Sequence, residues 1–392
     1  MRADGIFGQA VDRIGGEPIS ARMARRAPIR HLDPTLLFAT LVLTAFGAAM
    51  IYSTTASKQV EAGLDPGLFL KRQIAFLIGG GIILFIVSFL DYRHFRAFAP
   101  VIYGSAILAL ILVLTPAGAV VSGARRWINL GAFQFQPSEL AKIAVLMALA
   151  AYLAERKGEV RARDIAISLG MVAVPSLLIF LEPDLGTAMV LTAVMSVLLL
   201  VGGAKIRHFV AIAFVAIIAI VGAIQLDLIH DYQIQRLTAF MDPNPDVQSE
   251  GYNLVQAKIA IASGGARGKG FQAPNTQTTL DFVPEQHTDF IFTAVGEQLG
   301  LMGSATLLGL FAFLIWRALR IATMSRDMFG TLLAAGIAGL WIFQIFINMG
   351  MTMGIMPITG IPLPFISYGG SSLITNYICV GILLNVHMRR FL

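Results

Sequence analysis

Residues 289–315 read DFIFTAVGEQLGLMGSATLLGLFAFLI, an apolar stretch that begins with an aspartate. About 20 apolar residues in a row are enough to cross the roughly 30 Å hydrocarbon core of a bilayer as a helix. The rest of the chain has a similar character, since its 392 residues are 56% hydrophobic and only 13% charged. Because a soluble domain carries about 25% charged residues, the sequence predicts a polytopic membrane protein.

Several further stretches of this kind occur, and together they predict an all-α fold with ten transmembrane helices. The ten ranges are 35–53, 73–90, 99–116, 137–154, 165–182, 185–202, 208–226, 289–315, 329–351 and 364–386. The connection at 227–288 is long, and loops of that length are usually functional or disordered. Its segment NLVQAKIAIASGG is amphipathic and predicts a helix on the membrane face, followed by a glycine-rich turn in GGARGKGF. We therefore expect a large, partly folded extracellular loop.

The positions of the basic residues predict the orientation. Of the 29 Lys and Arg residues, 19 lie in one alternating set of segments. The set comprises the N-terminal tail, residues 91–98, 155–164, 203–207 and 316–328, and the C-terminus. Because cytoplasmic segments carry the excess of Lys and Arg, we expect both termini inside and the long loops outside. Residues 1–34 then form a cytosolic tail, and residues 35–392, including the loop 227–288, form the membrane domain.

Asp289 lies in PEQHTDF, where a membrane helix is predicted to begin. Thr288 or Asp289 could cap this helix, since either side-chain oxygen can accept from a free N–H group of the first turn, and the helix dipole favours an acid there. The functional alternative is a carboxylate at the membrane–water boundary that acts as a general base. His287 is then either a proton partner or simply an interfacial residue. Both interpretations stay open, and they are compatible with each other.

Four charged residues lie in or beside the apolar spans. Glu139 and Lys142 are spaced i, i+3 in QPSELAKIAVL, so they share a helix face and can pair. Glu182 and Asp184 flank a proline in LEPDLGT, at the hairpin between two spans. Charges inside a bilayer are costly and mark either an ion pair or a function. A structural pair such as Lys142 with Asp184 is one interpretation, and a polar cavity open to the outside is the other.

Several cations lie in loops predicted to be extracellular, where the positive-inside rule expects few. Together with neighbouring hydrogen-bonding side chains, the set comprises Arg125, Arg126, Trp127, Gln233, Arg236, Arg267 and Lys269. Any single one is most simply a solvated or headgroup-facing residue. Together they predict an anion site, because Arg binds phosphate through two parallel hydrogen bonds. The segment GGARGKG is not a P-loop, since Ser263 and Gly270 stand where that motif requires Gly and Ser or Thr.

Residues 356–376, MPITGIPLPFISYGGSSLITN, place three prolines and several glycines ahead of the last span. Irregular backbone near a membrane is tolerated only where it is buried in protein or lines a cavity. The segment is therefore either a tight turn or a cavity wall in which Ser371 and Ser372 offer hydrogen bonds. The single cysteine, Cys379, excludes an intrachain disulfide, and no metal-binding motif is visible in the sequence.

These motifs, in this order, resemble the SEDS family (shape, elongation, division and sporulation proteins). The resemblance covers residues 35–390 and rests on GARRWINLG with QFQPSELAK, EPDLGTA, YQIQR, GYNLVQAKIAIASGGARGKG, LDFVPEQHTDFIF and GIPLPFISYGGSS. TGIPLPF and LDFVPEQHTDF look more similar to the elongation member RodA than to the division member FtsW. The chain departs from the family at Asn253, where Gln is more usual, and at Gln298, where a second acid usually follows Glu297.

The resemblance implies a peptidoglycan glycosyltransferase for cell elongation and rod shape. Such a protein polymerises lipid II on the outer face of the bacterial cytoplasmic membrane, with a class B penicillin-binding protein as the partner that cross-links the strands. The family's essential aspartate falls on Asp289. Its other site positions fall on Arg126, Glu139, Lys142, Asp184, Gln233 and Arg236. Membrane lipids are further partners, and no nucleic-acid partner is expected.

The implied reaction assigns roles to these residues. Asp289 takes the proton of the acceptor hydroxyl, and displacement of undecaprenyl pyrophosphate inverts the anomeric carbon. The anionic leaving group needs positive charge, for which Arg126, Arg236, Lys142 and Lys269 are candidates. A divalent cation, Mg²⁺ or Mn²⁺, is a further candidate, although no dedicated ligand set is visible. Ser371 is a candidate substrate contact, and the polyprenyl chains are expected in a groove between helices that is open to lipid.

Two other functions compete with the transferase. A lipid II flippase or another transporter suits ten spans with intramembrane charges and broken backbone. Against it, the special residues cluster on one side rather than at the midplane of the membrane. A scaffold that only recruits a synthase is the third hypothesis. It predicts that Asp289→Asn retains function, and it leaves the buried charges without a purpose.

Overall fold

The computed structural model describes residues 31–121, 124–131, 133–156, 160–225, 250–280, 282–283 and 285–390. In these ranges the chain is mainly helical. The helices are α1 Pro34–Glu61, α2 Leu68–Phe89, α3 Tyr92–Leu114, α4 Pro137–Ala154, α5 Ala162–Leu181, α6 Leu185–Val201, α7 Ile206–Gln225, α8 Glu250–Gly264, α9 Ile291–Met324, α10 Met328–Met353 and α11 Gly370–Met388. The strands are β1 Ala119–Val121, β2 Ala124–Leu130 and β3 Phe133–Phe135.

Each of the ten predicted apolar ranges overlaps one helix, which confirms an all-α membrane fold. In the described part of the chain, eight helices are long and apolar enough to cross a membrane. The apolar helix α6 is shorter, with 17 residues. The membrane crossings of α6 and of α7 therefore stay predictions from the sequence.

The core of the bundle is formed by α4, α10 and α11, which are far more buried than α2 and α3. Small residues allow the helices to approach closely, as is usual where van der Waals packing drives association in lipid. At Gly339 of α10, an added Cβ would lie 2.7 Å from a methyl group of Val197 of α6. The outer helices expose apolar side chains, such as Ile82 of α2 and Leu108 of α3, to the surroundings of the bundle.

The loop at 117–136 folds into a small antiparallel sheet of order β1-β2-β3. Asn129 of β2 pairs with Gln134 of β3. The sequence analysis recognised this segment only as a long loop, because β1 and β3 have three residues each and ARRWINL of β2 does not alternate between polar and apolar residues. The sheet fixes the positions of Arg126 and Trp127 on β2.

The glycine-rich segment after α8 supplies backbone hydrogen-bond partners at a break in α9. Gly300 breaks α9 with φ 65° and ψ −160°. The segment lies against this break: Lys269 N–H donates to Glu297 O at 3.0 Å, and Leu301 N–H donates to Gly265 O at 2.9 Å. Backbone groups freed inside a membrane protein need such internal partners. The predicted helix at 253–265 and the glycine-rich turn are both confirmed, and the turn supports α9.

Candidate active site

A cavity of about 680 Å³ opens at the end of the bundle that carries the three-stranded sheet. Its walls come from α2, from β2 and β3, from the turn before α9 and from the segment before α11. The lining residues are Arg72, Phe76, Trp127, Asn129, Gly131, Gln134, Glu285, His287, Thr288, Tyr368, Gly369 and Gly370. Aromatic faces next to a cation, an acid and amides suit a ligand that carries both sugars and phosphate.

Asp289 follows the cavity-lining Thr288 and is half-buried. Its backbone is held by the Asn348 side chain. The side-chain nitrogen of Asn348 donates to Asp289 O at 2.8 Å and to Ile361 O at 2.7 Å. Gly360, with φ 70°, leaves room beside the carboxylate, since an added Cβ would lie 3.2 Å from Asp289 Oδ2. Phe290 is the N-cap residue of α9 and its side chain makes no capping hydrogen bond, so neither Thr288 nor Asp289 stands at the N-cap position.

His287 belongs to an aromatic cluster on the cavity wall. Its ring centroid is 5.1 Å from that of Phe69 and 5.7 Å from that of Tyr368. The backbone is held as well, since Tyr368 N–H donates to His287 O at 2.9 Å. The turn before α9 and the segment before α11 therefore form one wall of the cavity.

Arg126 binds the turn between α5 and α6. Its Nε donates to Glu182 O at 2.7 Å and a terminal nitrogen donates to Pro183 O at 2.5 Å. The last carbonyls of a helix lack intrahelical partners and carry partial negative charge, so a guanidinium is well suited to this end of α5. Both acceptors are neutral carbonyl oxygens.

The same turn holds two carboxyl groups with different environments. Asp184 is the N-cap of α6 and accepts from Thr187 N–H at 3.0 Å and from Thr187 Oγ1 at 2.9 Å. Glu182 is fully buried, and neither of its carboxyl oxygens has a hydrogen-bond partner among the described residues. Burial and the neighbouring Asp184 raise the pKa of Glu182, which lies between the two spans, to about 8. The protonated form is therefore favoured at neutral pH.

The turn between α5 and α6 and the side chain of Asp289 both lie against residues 359–361. At Gly186, in the first turn of α6, an added Cβ would lie 2.7 Å from Thr359 O. Gly360, the next residue, adjoins the Asp289 carboxylate. Residues 359–361 thus link the start of α6 to the aspartate before α9.

Glu139 and Lys142 form the predicted ion pair on one face of α4. Lys142 Nζ donates to Glu139 Oε1 at 2.8 Å, and both side chains are almost fully buried. Lys142 therefore pairs with Glu139 rather than with Asp184. The other carboxylate oxygen of Glu139 is buried without a partner among the described residues.

Lys269 and Ser371 both stabilise loops in this structure. Lys269 Nζ donates to Glu297 Oε1 at 2.9 Å, and the same carboxylate accepts the backbone N–H groups of Gln277 and Thr278 at 2.8 Å. Ser371 Oγ accepts from Gln136 N–H at 3.0 Å and donates to Gln134 O at 3.1 Å. Gln233 and Arg236 lie outside the described residues.

Comparison with known proteins decides the family. The family model for FtsW, RodA and SpoVE, described as a cell cycle protein, matches residues 34–391. The chain belongs to this family. The peptidoglycan glycosyltransferase MrdB of Escherichia coli (strain K12) is 38% identical over 360 residues, which cover 92% of this chain and 94% of that protein. Stage V sporulation protein E of Bacillus subtilis (strain 168) is 38% identical and covers 90% and 96%.

Solved structures of the FtsW/RodA/SpoVE family share the fold. The rod shape determining protein RodA of Thermus thermophilus is 32% identical with a TM-score of 0.68, covering 92% of this chain and 98% of that one. A chain from a peptidoglycan synthase complex, described as coordinating polymerization and crosslinking, is 33% identical with a TM-score of 0.77. It covers 92% of this chain and 98% of its own. These similarities confirm a SEDS-family, RodA-like, multi-pass membrane protein.

Sequence reasoning missed several cavity residues of this FtsW/RodA/SpoVE-family protein. Arg72, Asn129 and Tyr368 line the cavity but were not among the predicted site residues. Arg72 had a usable signal, because it is a cation at the predicted outer end of a span. Asn129 and Tyr368 had none, since only folding brings their segments to the turn before α9.

Proposed function

We propose that this chain is a peptidoglycan glycosyltransferase that polymerises lipid II for cell elongation and rod shape. The observation that supports it most is the position of Asp289, a half-buried residue that directly follows the cavity-lining Thr288 and whose backbone carbonyl is held by Asn348. The name of MrdB, a relative at 38% identity, gives the same reaction class.

The reaction requires one base and one displacement. The sugar hydroxyl of the acceptor gives its proton to an Asp289 oxygen and forms a bond to the anomeric carbon of the donor. The bond from that carbon to the pyrophosphate oxygen breaks, and undecaprenyl pyrophosphate leaves with the electron pair. A single displacement inverts the anomeric carbon. Because pyrophosphate leaves as a stable anion, no second carboxyl group has to protonate it.

Positive charge near the cavity stabilises the leaving group. Arg126 is favoured because its acceptors are neutral carbonyls, so its charge is not cancelled by an acid. Arg72 lines the cavity itself and joins the candidates. Lys142 and Lys269 each have a carboxylate partner, which lowers the positive potential they offer to a substrate. Substrate contacts of Arg236, Gln233, Glu139, Asp184 and Ser371 also stay part of the proposal.

A divalent cation, Mg²⁺ or Mn²⁺, remains a proposal as well. In the part of the chain that the structure describes, no group of three or more His, Cys, Asp or Glu side chains is placed to hold a metal. Mg²⁺ is commonly bound by one or two carboxylates together with substrate phosphates. The cation would accordingly enter with the pyrophosphate of the donor, where it neutralises negative charge.

The polyprenyl chain of the substrate has a matching groove. A groove of about 380 Å³ runs between α2, α3, α4 and α11, and apolar side chains such as Ile102, Ala109 and Ile143 line it. Phe135 of β3 and Pro137 at the start of α4 also line it, so it reaches the end of the bundle that carries the sheet. We call it the outer groove.

The expected setting is the bacterial cytoplasmic membrane with both termini inside. The placement of the basic residues supports this orientation. Residues 1–34 are then the cytosolic tail, and residues 35–392 form one membrane domain that includes the extracellular loop 227–288. A class B penicillin-binding protein is the proposed partner, since a structural relative belongs to a complex that couples polymerization to crosslinking.

Polymerisation of purified lipid II tests the role of Asp289. We expect Asp289→Asn to lower the rate by roughly 10²–10⁴-fold, because the base is lost while the shape is kept. The assay uses detergent-solubilised protein with its cognate penicillin-binding protein. Asp65→Asn, which changes an exposed acid in another loop, serves as the matched control.

The outcomes separate the competing functions. Equal polymer from wild type and Asp289→Asn would contradict the assignment of the base and favour a scaffold. Lipid II movement across liposome membranes without any polymer would favour a flippase. Comparable elution and melting of the variants shows that each has folded.

A further inference from the structure

The backbone that carries Asp289 is held by three successive hydrogen bonds from other parts of the chain. The carbonyl groups of residues 287–289 each accept one of them. Tyr368 N–H donates to the first carbonyl at 2.9 Å, and Ser367 Oγ donates to the second at 2.6 Å. Asn348 Nδ2 donates to the third carbonyl, that of Asp289 itself, at 2.8 Å. The turn before α9 is therefore tied both to α10 and to the segment before α11.

The N–H groups of the same turn are used within it. Thr288 N–H donates to Glu285 O at 3.1 Å, and Phe290 N–H donates to the same oxygen at 3.3 Å. The turn thus has internal partners for these donors and external partners for its carbonyls, as buried backbone requires. Since the peptide planes on both sides of Asp289 are held, these contacts set the direction of its Cα–Cβ bond.

The two side-chain donors are fixed as well. Ser367 Oγ accepts from Leu363 N–H at 2.8 Å, so its single proton is free to point at Thr288 O. Asn348, on α10, is fully buried, and Ser367 is only 5% exposed. Because water does not compete for these donors, the hydrogen bonds to the turn are held in one geometry.

Asn348 also holds the wall beside the carboxylate. Its nitrogen donates to Ile361 O at 2.7 Å as well as to the carbonyl of Asp289. Residue Gly360 precedes Ile361 and lies against Asp289 Oδ2. One buried amide therefore links the backbone of Asp289 to the backbone that the carboxylate contacts.

We propose that Asn348 and Ser367 are positioning residues that set the orientation of the Asp289 carboxylate for proton transfer. Both are buried and neither lines the 680 Å³ cavity, so they act through Asp289 and not on the substrate. A general base must lie within hydrogen-bond reach of the proton that it takes. A misplacement of about 1 Å can lower a rate by about 10²-fold. This inference rests on the proposed function, because it requires Asp289 to be the base.

Steady-state polymerisation of lipid II tests the two residues separately. Asn348→Leu and Ser367→Ala should each lower kcat roughly 10–100-fold, with KM for lipid II unchanged, because the base is displaced while the cavity is kept. Ser367→Thr retains the hydroxyl donor and should recover most of the lost kcat. Ser196→Ala is the matched control, since it removes a hydroxyl that donates to Thr192 O within α6, and it should leave kcat unchanged.

A double-mutant cycle separates positioning of the base from general support of the fold. In the Asp289→Asn background, Asn348→Leu and Ser367→Ala should cause little further loss, because the group that they position no longer acts as a base. A residue that only supports the fold would lower the rate equally in both backgrounds. Equal losses in the two backgrounds, or a raised KM with kcat unchanged, would overturn the positioning role.

The same assay distinguishes failure of this inference from failure of the proposed function. If Asp289→Asn loses polymer while Asn348→Leu and Ser367→Ala keep the kcat of wild type, the transferase stands and the positioning role is refuted. Equal polymer from wild type and Asp289→Asn refutes the base and the positioning role together. Asn348 and Ser367 hold different carbonyls, so either variant decides the matter if the other does not fold.

Discussion

The candidate cations for substrate binding each have a partner within the protein. Lys142 and Lys269 are neutralised by Glu139 and Glu297, whereas Arg126 binds only neutral carbonyls. A cation next to a carboxylate contributes little net potential at a distance. Arg126 is therefore the cation in this group with the strongest attraction for a pyrophosphate.

The buried pair on α4 gives a prediction about stability. Lys142→Met alone or Glu139→Leu alone leaves one charge buried without its partner, and each should lower the free energy of unfolding by about 3–5 kcal/mol. The double variant replaces both charges by apolar groups and should lose less than either single variant. Denaturant unfolding in detergent micelles measures all three.

The exposed pair of Lys71 with Asp65 is the control for this cycle. Its side chains are 72% and 46% exposed, so Lys71→Met should change the free energy of unfolding far less than either buried variant does. If the losses of Lys142→Met and Glu139→Leu simply add up in the double variant, the two side chains are not coupled.

At the scale of elements, the break in α9 explains the glycine-rich loop. Gly268 lies so close to α9 that an added Cβ would be 2.1 Å from Gln298 O. The loop backbone takes the place of helical partners that Gly300 removes. The glycines in GGARGKG thus allow backbone-to-backbone contact, which a side chain would prevent.

Gly300→Ala should therefore disturb the loop. The left-handed φ alone costs an alanine roughly 1–2 kcal/mol, and its Cβ would lie 2.3 Å from Gly268 N. We expect faster hydrogen exchange at the amides of Leu301 and Met302. Gly309→Ala in the same helix meets nothing within 4 Å and is the matched control. Unchanged exchange in Gly300→Ala would show that the loop does not depend on this contact.

At the scale of the whole molecule, polar and apolar spaces occur at both ends of the bundle. The outer groove reaches the end that holds the cavity and Asp289. At the other end, an apolar groove between α3, α4 and α5 and a second cavity share Glu155 as a lining residue. A substrate with a soluble head and a long polyprenyl tail needs such a combination at the outer end. This arrangement favours a transferase over a transporter, whose site is expected near the midplane.

Filling the outer groove should weaken binding of the lipid tail. In Ala109→Phe the added ring occupies the groove, so we expect KM for lipid II to rise roughly tenfold, as for the loss of about 1.4 kcal/mol of apolar contact. Leu108→Phe changes a neighbouring side chain that is 68% exposed and should leave KM unchanged. Steady-state polymerisation with purified lipid II measures both. An unchanged KM in Ala109→Phe would place the tail elsewhere.

The membrane class, the helical segments and the motifs around Asp289, Glu139 and Asp184 could all be predicted from the sequence alone. Apolar length and charge placement are local properties of the chain, so they can be read without a fold. The i, i+3 pair on α4 was also predictable, because one helix carries both partners.

The contacts between residues that are distant in the sequence could be seen only in the folded molecule. Arg126 binds carbonyls 56 and 57 residues away, and Asn348 holds the carbonyl of Asp289 across 59 residues. Arg72 of α2 and Tyr368 of the segment before α11 line the same cavity. Such contacts depend on how the helices pack, and packing depends on the fit of many small side chains at once rather than on any local pattern.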